Sequence, residues 1–135
     1  MNPENTRILD AFLSHAEEIG DDIVADTEAM LGTVPFIFPI LQERPEAFVL
    51  AALADYKTAR PESLDARTAE LVAVAAAAGA GADKCLKVHI RAALRAGSSR
   101  DEILDTLQIA GLIGKTKILA TALREFRDAC GTEGR

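Results

Sequence analysis

The 135-residue chain has no tryptophan, one tyrosine and five phenylalanines, so aromatic residues make up only 4% of a sequence that is 49% hydrophobic. A core must therefore be assembled from Ala, Leu, Ile and Val, and an alanine-rich core requires closely packed helices. Cysteine is scarce too. Cys85 and Cys130 are too few for a disulfide framework, and a lone Cys near a His in an intracellular protein is a candidate reactive thiol. Basic residues are outnumbered 15 to 21, and the net charge of -6 argues against non-specific attraction to nucleic acid or an anionic membrane, both of which need a positive field. No basic segment followed by an apolar run opens the chain. The longest apolar stretch, Leu71 to Ala82, is too short and too rich in Ala and Gly to cross a bilayer. These absences read as a cytoplasmic protein.

What is present is helical periodicity. Apolar positions recur at three and four throughout, nothing longer than a few residues alternates with period two, and the length suits one domain, 1–135. The fold class is all-α. An amphipathic helix is predicted from about Asn5 to Ile19, with Gly20 as its break and Asp21 and Asp22 heading a second helix that ends at Gly32. Pro35, Pro39 and Pro45 bound a short apolar turn, Phe36 to Leu41, before a helix reaching about Thr58. Ser63 is a candidate N-cap for a helix from Leu64 to about Ala78, ended by Gly79 and Gly81. Asp83 is a candidate cap for a helix to Ala96, stopped by Gly97. A capping box, Ser98 with Asp101 or Ser99 with Glu102, starts the next. That helix runs to about Leu112, Gly114 interrupts the pattern, and a last helix from Lys115 to Ala129 ends at Gly131. The tail from Thr132 to Arg135 reads as loose.

Cys85 and His89 are four residues apart, a spacing that places both on one face of a helix. If Asp83 caps that helix, Cys85 lies in its first turn, where free backbone N–H groups and the macrodipole favour a thiolate and a neighbouring imidazole can exchange its proton. Glu70, on the preceding helix, reaches the pair if the two helices run antiparallel. A free cysteine is more commonly a small buried hydrophobe, and a lone histidine is more commonly structural. The pair at helical spacing, beside a helix start, is what raises a functional reading.

The segment ELVAVAAAAGAGADKCLKVH, Glu70 to His89, resembles the alkylhydroperoxidase D and carboxymuconolactone decarboxylase superfamily. The resemblance covers roughly residues 30 to 127. It takes in the LGTVPFIFPILQERPEAF stretch, the helix carrying Arg67 and Glu70, and HIRAALRAGSSRDEILDTL. It implies an alkylhydroperoxidase D-like fold of about six to seven helices, with the helices at 5–31 and the tail at 131–135 peripheral, assembled as a trimer or a hexamer of paired trimers. The redox branch carries C-x-x-C-x-x-x-H with an upstream Glu, which here fall on Ala82, Cys85, His89 and Glu70. The first cysteine is missing. The resemblance assigns Cys85 the attack, and His89 with Glu70 the proton relay. The thiol that would resolve an oxidised Cys85 must then be Cys130 or an external thiol. The decarboxylase branch is similar in H-x-R-A-A, here His89, Arg91, Ala92 and Ala93, where Arg91 would grip a substrate carboxylate. Those decarboxylases carry acidic or histidine residues where this chain has Lys84 and Cys85, and Arg91 points to another side of the helix from His89.

Other motifs fail. Gly114, Lys115 and Thr116 imitate the end of a phosphate-binding loop, but Ile109 stands where the loop's first Gly is required and no strand precedes it. Gly79 and Gly81 begin a dinucleotide-type glycine pattern that fails at Lys84. His15, beside Glu17 and Glu18, reads as exposed. Cys85 and His89 supply two metal ligands where three or four are needed, so no metal and no other cofactor is called for. Tyr56 and Phe48 read as core or subunit contacts, with Phe36 and Phe38 as interface anchors. Three functions follow: a one-cysteine thiol oxidoreductase of peroxide-reducing type, a lactone decarboxylase, or a non-enzymatic helical oligomer binding a small ligand. The partners implied are further copies of the chain, a small peroxide or lactone, and an external thiol.

Overall fold

A computed structural model describes residues 1–131. The expectation for the tail at 132–135 lies outside them. Seven helices and no strand are found among the described residues: α1 (Pro3–Leu13), α2 (Ala16–Leu31), α3 (Phe38–Leu41), α4 (Pro45–Ala59), α5 (Ala66–Ala80), α6 (Asp83–Arg95) and α7 (Arg100–Cys130). The all-helical reading of the periodicity holds. Contacts gather into two compact units, Met1–Ala69 and Glu70–Arg135, taken in turn.

In the first unit α2 packs along α4, and the core is Ala16, Ile23, Phe48, Val49 and Ala52. The first break falls at Ser14 and His15, not at Gly20, which lies inside α2. A Cβ at Gly20 would sit 3.3 Å from Cδ1 of Phe48, so this glycine lets the aromatic ring approach the helix backbone. Gly32, with φ of 71°, closes α2 as its left-handed cap. Phe38 turns inward, edge-on to Phe48 with ring centroids 5.2 Å apart, while Phe36 stays exposed. Tyr56 ties α4 to α2: its hydroxyl donates to Asp26 at 2.9 Å, and the Arg60 guanidinium lies 4.1 Å from the ring centroid. The bond to Asp26 pushes the phenol pKa up.

Asp65, not Ser63, starts α5. Its carboxylate accepts the backbone N–H of Thr68 at 2.8 Å, and this bond holds the carboxyl below its usual range. In the second unit Val74 of α5, Ala93 of α6 and Ile103 of α7 form the core, flanked by Leu71, Leu86, Ile90 and Leu107. The α5–α6 turn is a Schellman motif. Gly81 has φ of 66° and donates to the carbonyl of Ala78, while Ala82 donates to that of Ala77. The same device ends α6, with Gly97 at φ of 93° donating to Leu94 and Ser98 donating to Ala93.

The Ser99–Glu102 capping box opens α7 as the sequence anticipates. The break anticipated at Gly114 is absent, and α7 continues for 31 residues to Cys130, with Gly131 beyond it. A single glycine costs a helix only about 1 kcal/mol, too little to end one with good formers on both sides.

Candidate active site

Along α5 the buried positions are Glu70, Val74 and Ala77, one stripe at helical spacing. Glu70 thus puts a carboxylate where the pattern calls for an apolar residue, and a carboxylate taken out of water requires a partner. The partner is His89 on α6. Its Nδ1 lies 2.8 Å from Oε2 of Glu70, the two side chains being 27% and 10% exposed respectively. An ionised carboxylate only accepts, so in a bond to one Nδ1 is the donor, and Nε2 is the ring nitrogen that Glu70 does not engage. The Schellman turn at Gly81 and Ala82 folds α6 back from α5 and allows this meeting of residues 19 apart in sequence.

Cys85 is exposed and occupies the third position of α6, one turn before His89. The N-cap is Ala82 and not Asp83, which sits inside the helix at its first position. Ala82 itself makes no side-chain cap bond to the opening turn. The structure therefore joins Glu70 to His89 directly, and places Cys85 four residues before His89 on the helix they share.

Cys130 is exposed at the far end of α7. The 27 residues from Ile103 to Cys130 (130 minus 103) span about 40 Å at the helical rise, and the eight from Cys85 to Ala93 (93 minus 85) span about 12 Å. Ala93 and Ile103 share one core cluster, within about 10 Å of each other. Cys85 and Cys130 of one chain are then at least about 18 Å apart, beyond the roughly 7 Å that a disulfide can bridge.

Arg91 falls two residues past His89, on a different side of α6. It lines a shallow groove of about 290 Å³ with Asp83, Leu86, Lys87 and Ile90, and neither Cys85 nor His89 lines that groove. The sequence reading passed over Lys87. Its signal was the i, i+4 spacing to Arg91, which sets two cations on one face. A wider cleft of about 820 Å³ in the first unit holds His15, whose Nδ1 lies 3.5 Å from Glu18, and contains no cysteine. Among the described residues no three His, Cys, Asp or Glu side chains gather as a metal site would require. None of the described helices is long and apolar enough to cross a membrane.

The carboxymuconolactone decarboxylase family model matches residues 45–128, well over half of the chain. No curated protein and no solved structure matches. The matched span includes Glu70, Cys85, His89 and Arg91. Membership supports an activity of the peroxidase or decarboxylase type in general. The chain belongs to the carboxymuconolactone decarboxylase family.

Proposed function

We propose that this protein reduces peroxides through a single thiol, Cys85, with His89 as the proton shuttle and Glu70 as the residue that positions it. The bond between the buried Glu70 carboxylate and His89 carries the reading, because it orients a base one helical turn from an exposed thiol. His89 Nε2 takes the thiol proton. The thiolate attacks the terminal peroxide oxygen, the S–O bond forms as the O–O bond breaks, and the leaving alkoxide takes the proton back from His89. Sulfur is oxidised by two electrons to a sulfenic acid and the peroxide is reduced to an alcohol. An external thiol then condenses with the sulfenic acid, releasing water, and a second thiol displaces the mixed disulfide to restore Cys85. A working free thiol fits a reducing compartment, and we place the protein in the cytoplasm on that ground.

The test is peroxide consumption with a small-molecule dithiol as reductant, together with labelling by iodoacetamide at neutral pH. Consumption is expected to disappear in Cys85→Ser and to persist in Cys130→Ser, with Cys85 labelling faster than Cys130. Equal labelling of the two cysteines, with full activity in Cys85→Ser, would overturn the proposal.

A lactone decarboxylase is the second reading, favoured by the Lys87 and Arg91 groove, which suits a substrate carboxylate. It predicts decarboxylation that survives Cys85→Ser and is lost in His89→Ala.

A further inference from the structure

Helix α6 carries four basic residues and one acidic one, in a chain whose net charge is -6. Lys84, Lys87, Arg91 and Arg95 follow one another at spacings of three, four and four, and at 100° per residue all four fall within an arc of about 80°. All are exposed. They form one ridge of like charge down the helix, an arrangement that repels itself. The macrodipole favours Arg95 in the last turn but opposes Lys84 in the first, so helix stability alone does not account for the ridge.

No carboxylate interrupts the arc. Asp83, the one acid of α6, lies outside it beside Lys87, and Glu70, the one acid of α5, is bound to His89 on the other side of the helix. Asp101 and Glu102 stand past the Gly97 turn with Arg100 next to them, and Glu102 closes the capping box of α7. Lys87 and Arg91 are in no ion pair among the described residues. Cys85 lies about 80° round the helix from the edge of the ridge, with the half-buried Val88 between. For side-chain ends about 5.5 Å from the axis, its sulfur is about 9 Å from the head of Lys84, about 13 Å from that of Arg91 and about 17 Å from that of Arg95. An anion tethered to a sulfur that reacts at Cys85 therefore reaches Arg91 through an arm as long as about four extended residues.

We infer that the external reductant of Cys85 is a small thiol on a long arm that ends in phosphate groups, guided to the sulfur by the ridge of Lys84, Lys87, Arg91 and Arg95; the inference rests on the thiol cycle proposed above. The arm crosses Val88, and phosphate oxygens accept from the planar fork of the Arg91 guanidinium. The sulfur of the incoming thiol attacks the sulfur of the sulfenic acid. The S–S bond forms as the S–O bond breaks, and the leaving hydroxide departs as water with the thiol proton. A second molecule of the same thiol then attacks the mixed disulfide at the carrier's sulfur, which releases Cys85 reduced and joins the two carriers as a disulfide. Electrostatic guidance acts on the rate constant of each encounter and leaves both steps bimolecular.

Thiol–disulfide exchange on the full-length Cys130→Ser protein tests the ridge apart from the peroxide chemistry. Reduced Cys85 is thiolated by coenzyme A disulfide, which carries phosphates on arms of this length, and by pantethine, which has the same disulfide and arms without phosphate. The net charge of -6 by itself would make the anionic reagent the slower one. The ridge is expected to make it about tenfold faster at low salt, an advantage that disappears near about 0.5 M salt, where the screening length is roughly 4 Å. Lys87→Gln with Arg91→Gln, which keeps good helix formers in place, is expected to bring the coenzyme A rate down to that of pantethine. A coenzyme A disulfide no faster than pantethine in the wild type, or an advantage that survives high salt or a folded double variant, overturns the inference. So does an equal advantage for oxidised glutathione, whose carboxylates lie too near its sulfur to reach Arg91. Peroxide consumption with a small dithiol reports on the proposed function alone: its absence sinks the thiol cycle, and its presence beside an unselective exchange sinks only the ridge.

Discussion

Replacing Glu70 by Gln tests the chemistry of the site with least disturbance to its shape. The amide fills the same volume in the stripe above Val74 and still offers an oxygen to Nδ1 of His89, but it carries no charge. A hydrogen bond to a charged group contributes about 1.5–3 kcal/mol and a neutral one about 0.5–1.5 kcal/mol, so the change removes roughly 1–1.5 kcal/mol from the state in which His89 has become an imidazolium. If that state is the transition state of thiol attack, the rate falls about tenfold. The amide can also turn and donate to Nδ1, which would hold the ring in the tautomer that cannot accept the thiol proton, and this lowers the rate further. The assay is the second-order rate constant of Cys85 with an organic hydroperoxide under single-turnover conditions, read beside a urea titration of the same protein. A residue that served only as structure would lower stability and leave the rate constant of the folded protein in place. A wild-type rate constant in a folded Glu70→Gln protein would refute the relay.

Neighbouring serines at the α6–α7 junction should respond in opposite directions. Ser98 is buried with its hydroxyl unpartnered among the described residues, so Ser98→Ala should stabilise the fold by about 1 kcal/mol in urea titration. Ser99→Ala, which removes the α7 cap, should cost about 1 kcal/mol in the same titration. Two helical glycines should also part company. Gly114→Ala meets no atom within 4 Å and should raise stability by up to about 1 kcal/mol, whereas the contact with Phe48 should cancel that gain in Gly20→Ala. Asp65 makes the start of α5 sensitive to acid. Its carboxyl pKa is lower folded than unfolded, so its contribution is complete above the unfolded value and is lost as pH falls through the folded one. Thermal melts of wild type and Asp65→Asn should accordingly differ at pH 6 and converge toward pH 2.

The helices were legible because apolar spacing and proline placement are local signals, and the Ser99–Glu102 box was legible to the residue. Glycine was the unreliable sign. Gly32, Gly81 and Gly97 do stop helices through positive φ, but Gly20 and Gly114 look the same in sequence and lie within helices. Gly20 is set apart by a tertiary contact, the ring pressed against it, and Gly114 by a helical backbone on both sides that never takes the positive φ of a stop. Asp65 and Ser63 are both good caps, and only the backbone geometry decides between them. At the site, the four-residue step from Cys85 to His89 was readable as geometry. Glu70 was readable only as a carboxylate that an antiparallel hairpin might deliver, and its burial against His89 depends on the Schellman turn that makes the hairpin. The length of α7, and with it the separation of Cys130 from Cys85, could not be read while Gly114 counted as a stop.

Ala82 caps α6 without a side chain that can bond anything, three residues before Cys85. Two positions at that separation in a first helical turn lie within the span a disulfide can close, so a thiol at 82 would let the oxidised site discharge inside its own chain. With a methyl there instead, and Cys130 out of reach, the proposed cycle becomes one of two separate encounters. At saturating peroxide its velocity rises linearly with the concentration of external thiol and has no ceiling set by the protein. When thiol is scarce, the waiting sulfenic acid meets a second peroxide and is lost irreversibly as the sulfinic acid. Ala82→Cys should turn that dependence on supply into a first-order closing step.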